Sequence, residues 1–181
     1  RTHMVDLKKK QYQKINCTVR RALEEDKKSM QAFFDENAPL KEFYPCYDFS
    51  KIGTDHAYYR DIKIDDYFLA FRDKVLVGVC GVWDQKAFKQ TRFVSYQGKM
   101  KYLRHINNIK SHLIGGLQLP KPGNLANYLS LHSILCVDND AGIFKDLLNA
   151  VLKIYHDSLY ESLIFGFDTR DPLHQAADGL K

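Results

Sequence analysis

Residues 128–170 read YLSLHSILCVDNDAGIFKDLLNAVLKIYHDSLYESLIFGFDTR, and this stretch decides the fold. Residues 129–137 (LSLHSILCV) are a mostly apolar run of strand length, broken by Asp138, Asn139 and Asp140. Apolar residues return at Ile143, Phe144, Leu147, Leu148, Val151, Leu152 and Tyr155, a repeat close to the helical period. After Asp157 and Ser158 a second short run, residues 163–167 (LIFGF), ends on Asp168, Thr169 and Arg170. Two buried runs joined by one amphipathic helix predict a βαβ unit with parallel strands and a right-handed crossover. Ligands of such units lie beyond the carboxyl ends of the strands, where the helix start presents unpaired N–H groups. That puts the candidate site at residues 138–144, facing residues 168–170.

Outward from this unit, 181 residues with 45% hydrophobic and 27% charged content describe one ordinary globular domain. No apolar run approaches the ~20 residues that span a bilayer, and no secretory h-region opens the chain. Arg1, Thr2, His3 and Met4 read as a cloning remnant, so residues 1–14 are expected to be tag and loose lead-in, with the domain over 15–181. Four widely spaced cysteines (Cys17, Cys46, Cys80, Cys136) show no metal-site spacing. Three lie in strand-like runs and read as buried reduced thiols, which suits a cytoplasmic protein without a metal or a membrane partner.

The net charge of +5 is unevenly spread. From Gln85 to Val137 there is no Asp or Glu, while Lys86, Lys89, Arg92, Lys99, Lys101, Arg104, Lys110 and Lys121 contribute eight positive charges. The other 19 cations face all 22 acids, leaving the rest of the chain at −3. A local field of one sign attracts anionic partners; a merely solvated basic helix explains the same residues.

In chain order, residues 15–22 (INCTVRRA) predict a first strand and residues 24–37 a helix with Leu23, Met30, Phe33 and Phe34 on one side, stopped by Pro39. Residues 40–49 are an aromatic-rich short helix or ordered loop, and residues 50–64 have no clear period. Residues 67–72 (YFLAFR) and 75–83 (VLVGVCGVW), joined by Asp73 and Lys74, predict an antiparallel hairpin. Residues 84–96 extend the strand or link over the surface. Met100, Leu103, Ile106, Ile109 and Leu113 predict a basic amphipathic helix ending at Gly115 and Gly116, inside an insertion over 85–127. Asp171 and Pro172 have the form of an N-cap and first helical residue for a short helix over 173–178, ended by Gly179.

This order of elements resembles the GNAT superfamily of N-acetyltransferases. Val19, Arg20, Ala22 and Asp26 resemble that family's first-strand opening, an apolar residue, Arg, any residue, Ala, and an acid four residues on. Leu76-Val77-Gly78 with Gly81 resembles its third strand, and Leu135-Cys136-Val137 the end of its fourth, which splays from the fifth and receives the pantetheine arm of acetyl-CoA. Asp171-Pro172 resembles the Asn-Pro that opens its last helix. The resemblance implies an α/β (α+β) fold: a GNAT-like mixed sheet with a central βαβ unit, helices on both faces, and a helical basic insertion between strands three and four. It departs from the family at three points. Residues 137–144 have one glycine and no basic residue where the family's phosphate loop has Arg/Gln-x-x-Gly-x-Gly/Ala, and they set Asp138 and Asp140 beside the expected phosphates. The place of the family's acidic tyrosine falls near Asp178, and the last two strands would follow Lys181.

The implied activity is transfer of an acetyl group from acetyl-CoA to an amine, on a small molecule or a protein. On that resemblance the donor contacts Leu135, Cys136, Val137, Ala141, Gly142, Ile143 and Phe144. The base is His132 or Asp168, and His56, Tyr58 and Tyr59 line the acceptor pocket. His132 in an apolar strand also reads as a core residue, Asp168 as a turn, and the aromatic trio as packing under the hairpin. The alternative is a GNAT-shaped binding module without catalysis, holding an anionic partner such as nucleic acid on residues 86–121; nucleic acid is the less favoured partner. Nucleophile-elbow, P-loop and dinucleotide motifs are missing from the sequence.

Overall fold

The computed structural model describes residues 1–8, 16–42, 44–114 and 119–177. Six strands form one mixed sheet: β1 (Thr2–Asp6), β2 (Thr18–Arg21), β3 (Tyr67–Arg72), β4 (Val75–Trp83), β5 (Tyr128–Cys136) and β6 (Ser162–Gly166). Their order across the sheet is β1-β6-β5-β4-β3-β2. Only β5 and β6 pair in parallel; every other neighbouring pair is antiparallel. Among the described residues the α-helices are α1 (Lys27–Asn37), α2 (Met100–Ile114) and α3 (Ala141–Tyr155). The fold is α+β, and α3 joins the two parallel strands as the βαβ reading requires.

The strands alternate because both faces of the sheet are covered. Phe68 and Ala70 of β3 join α3 residues Phe144, Leu147, Leu148 and Val151 in one core. Tyr67 and Leu69 point the other way and join Met30, Phe33 and Phe34 of α1, spaced i, i+3, i+4, in a second core. Gly78 sets the distance of α3 from the sheet: a Cβ there would lie 2.6 Å from Ile143 Cγ2. The Arg20–Asp26 pair, bidentate at 2.7 and 2.8 Å, ties β2 to the turn that starts α1. Asp26 also accepts from the Leu23 N–H at 2.7 Å, and the hydrogen bond from Arg20 holds its carboxyl below the usual carboxylate range.

The sequence predicts a tag remnant and loose lead-in over residues 1–14; residues 2–6 are not loose, while residues 9–14 lie outside the described residues. Thr2–Asp6 is a strand, paired antiparallel with β6 from Thr2↔Gly166 to Asp6↔Ser162. Val5 and Leu7 are fully buried. The lead-in looks polar because a short edge strand with one buried face needs only those two apolar side chains. Residues 84–96 are a surface linker, carrying a single bridge Arg92↔Leu125. The predicted last helix is a 310 segment, Pro172–Ala177, capped by Asp171, whose Oδ1 accepts from the Leu173 N–H at 3.0 Å. Ile15, Phe43, Gly115, Gly116, Asp178, Gly179 and Lys181 lie outside the described residues.

Candidate active site where two parallel strands part

β5 and β6 are joined only at Tyr128↔Ser162, Leu129↔Leu163 and Ser130↔Ile164. Beyond Ser130 they part. A bulge in β5 marks the place: Gly81↔His132 and Val79↔Leu135 leave one residue of β4 opposite two of β5. Ser133 takes the extra position with φ +49°, a left-handed conformation uncommon for a side-chain-bearing residue. The bulge resets the alternation. Leu129 and Leu131 before it, and Ile134 and Cys136 after it, all reach the α3 core, while Leu135 joins the α1 core.

A cavity of about 580 Å³ opens between the parted strands, on the side of the loop that follows α1. Its walls include Lys41, Tyr44, His132, Ser133, Asn139 and Asp168. Tyr44 donates its hydroxyl hydrogen bond to the Ile134 carbonyl at 2.8 Å, fixing the loop to the bulged strand. Lys41 closes one end through an ion pair with Asp171 at 3.1 Å.

His132 sits on the bulge in an aromatic notch. Its ring lies 5.2 Å from Tyr67, edge to face, and 5.4 Å from Trp83. Gly81 makes the notch deep enough, since a Cβ there would fall 2.3 Å from Nε2. Nδ1 is paired with Ser133 Oγ at 2.8 Å. The residue keeps some exposed edge, but Nε2 itself is buried and has no hydrogen-bond partner among the described residues. Burial pushes the imidazole pKa down to about 4, so the ring is neutral at pH 7. The Asn139 Oδ1, in a residue of the same cavity wall, is likewise unpartnered among the described residues. Such groups cost about 1–3 kcal/mol each when nothing satisfies them.

The other predicted site residues are dispersed. Asp168 lines the cavity, but its exposed carboxylate accepts from the Arg170 N–H at 2.9 Å and pairs with Nε at 3.0 Å. Those bonds lower its pKa and occupy it. His56 lines a separate cavity of about 570 Å³ with Asp55, Arg60 and Phe88. Tyr59 is buried, accepting from the Asp48 N–H at 2.6 Å, and Tyr58 stacks edge-on to Tyr47. Leu135, Cys136, Ile143 and Phe144 bury their side chains in the cores, leaving only backbone for a ligand. Ala141 and Gly142 open α3, and Val137 begins the turn before it.

At the start of α3 the expected anion site is filled from within. Asp140 is the N-cap, and its Oδ1 accepts from the Gly142 N–H at 2.7 Å. Its other oxygen lies 3.6 Å from Arg72. Asp138 is exposed beside it, with φ +53°. Two carboxylates and a spent N–H do not fit a diphosphate here.

Lys41, Tyr44, Ser133 and Asn139 carry no motif and were not legible as site residues. Ser133 did leave a signal: the step from Leu131 to Ile134 breaks a period of two, as a bulge must. Among the described residues no group of His, Cys, Asp and Glu has the arrangement of a metal site. Among the described residues no helix is long and apolar enough to cross a membrane. Comparison with models of known protein families finds none that matches the chain, and comparison with curated proteins finds no match either.

Proposed function

We propose that the protein is a GNAT-type acyltransferase that moves an acetyl group from acetyl-CoA to an amine. One observation carries this reading: the parallel pair β5 and β6 separates after three residues and opens a cavity that His132 lines. The slot suits a thioester arm. The start of α3 does not suit the diphosphate, so the donor's nucleotide lies elsewhere and its affinity rests on the arm. Transfer forms a C–N bond and breaks the C–S bond; the amine sheds one proton, and the coenzyme A thiolate leaves and takes one up to depart as the thiol. His132, whose Nδ1 is paired with Ser133 Oγ at 2.8 Å, is the titratable ring in the cavity wall, and we assign it the role of taking that proton. A pKa near 4 makes it a weak base, so the acceptor enters as the free amine.

Calorimetry with acetyl-CoA and with acetyl-pantetheine tests the reading. Micromolar binding of both, with similar affinity, is the expected result; no heat from either overturns it. A single turnover with a panel of amines should slow by about 10²-fold in His132→Gln while donor binding is kept. The Asp140 cap favours a second reading, a binding module without transfer, in which neither donor binds and an anionic partner sits on residues 86–121.

A further inference from the structure

Helix α2 is turned inside out. Tyr102, Leu103, Ile106, Ile109 and Leu113 are between 47 and 77% exposed. Their spacing puts them on one face. The opposite face holds the helix to the rest of the insertion. Arg104 lies 5.7 Å over the Tyr96 ring, and Tyr96 in turn donates to the Pro120 carbonyl at 2.9 Å. Asn108 clamps the backbone of Leu119, donating to its carbonyl and accepting from its N–H, both at 2.8 Å. Ser111 is buried on this side. Rolling the apolar stripe inward would break the Asn108 clamp, so the stripe faces out by construction. Lys110 borders it and Lys99 stands at the helix start, both exposed, in a segment without a single acid.

We infer that α2 lies flat on an anionic lipid surface, its Leu103 to Leu113 stripe at the acyl boundary and its lysines on the headgroup anions. Both halves of the helix are then used. Nucleic acid would satisfy the cations but gives a ridge of Ile and Leu nothing to bury against. A second copy would cover the ridge but bring the same cations face to face, with no acid in the segment to answer them. A bilayer containing anionic lipid takes apolar stripe and charge together. The inference is independent of the transferase reading, because it uses a different part of the surface.

Co-sedimentation of the full chain with vesicles tests it, comparing phosphatidylcholine alone with phosphatidylcholine containing phosphatidylglycerol at about 0.1 M salt. The protein should pellet with the anionic vesicles, not with the neutral ones, and leave them at about 1 M salt. Ile106→Asp with Ile109→Asp should weaken vesicle binding about tenfold or more while circular dichroism stays unchanged, both residues being exposed. Lys99→Glu with Lys110→Glu should weaken it too. Absence of binding to either vesicle, or equal binding to both, overturns the inference. So does a light-scattering dimer that the Ile→Asp pair abolishes without vesicle binding, or nucleic-acid retention that the pair leaves intact without it.

Discussion

At the scale of single residues, the structure turns on how His132 is housed. Gly81, Tyr67 and Trp83 shape the notch, and the bulge at Ser133 aims the ring into it. Gly81→Ala puts a methyl where the imidazole stands, and the misfit should cost about 1–3 kcal/mol in urea unfolding. His132 also makes stability depend on pH. Its pKa is about 4 in the fold, against ~6.5 in the unfolded chain, so as pH falls the unfolded chain takes the proton first. The contribution is whole above ~6.5 and is lost between there and about 4, amounting to at most ~3 kcal/mol. Urea midpoints at about pH 7 and pH 4.5 should therefore fall further for the wild type than for His132→Gln; equal falls would remove the buried imidazole from the account. The sequence showed His132 as a polar residue in an apolar strand. It hid the neighbours that decide its pKa, since those come from β3 and β4 through pairing that no local pattern encodes.

At the scale of elements, local periodicity was legible and self-satisfied polar groups were not. The hairpin of β3 and β4, α1, α2 and the βαβ unit all follow from spacing, because burying one face or two imposes a period. The Asp26 and Asp140 carboxylates look alike in sequence, yet each spends itself on a helix start. Asp26→Ala removes the acceptor for the Leu23 N–H and the partner of Arg20. The expected loss is about 1–2 kcal/mol, held down because Arg20 is partly in water. Asp140→Ala should cost about 1 kcal/mol as a lost N-cap. It also frees the Gly142 N–H and Arg72, so acetyl-CoA should come to bind tighter than acetyl-pantetheine; unchanged relative affinity would show that the diphosphate never approaches α3.

At the scale of the whole molecule, the two cores grip the sheet from both faces while its rims behave differently. The basic insertion shows its apolar side to the outside, whereas the β6 rim is sealed by β1. Removing residues 1–7 strips Val5 and Leu7 from the core and bares the β6 edge. Thermal melts should show a loss of at least about 3 kcal/mol, with aggregation followed by light scattering. This rim was the least legible part of the fold. Five residues with one buried face carry too little pattern to be read, and their partner lies at the far end of the chain.

That pairing has a consequence for synthesis. Thr2 sits opposite Gly166, so β1 must wait through the synthesis of β2 to β5 and of α3 before it meets its strand. Until then β1 has no mate and β5 is the open edge of the nascent sheet, and a chaperone that shields bare strand edges would be needed longest there.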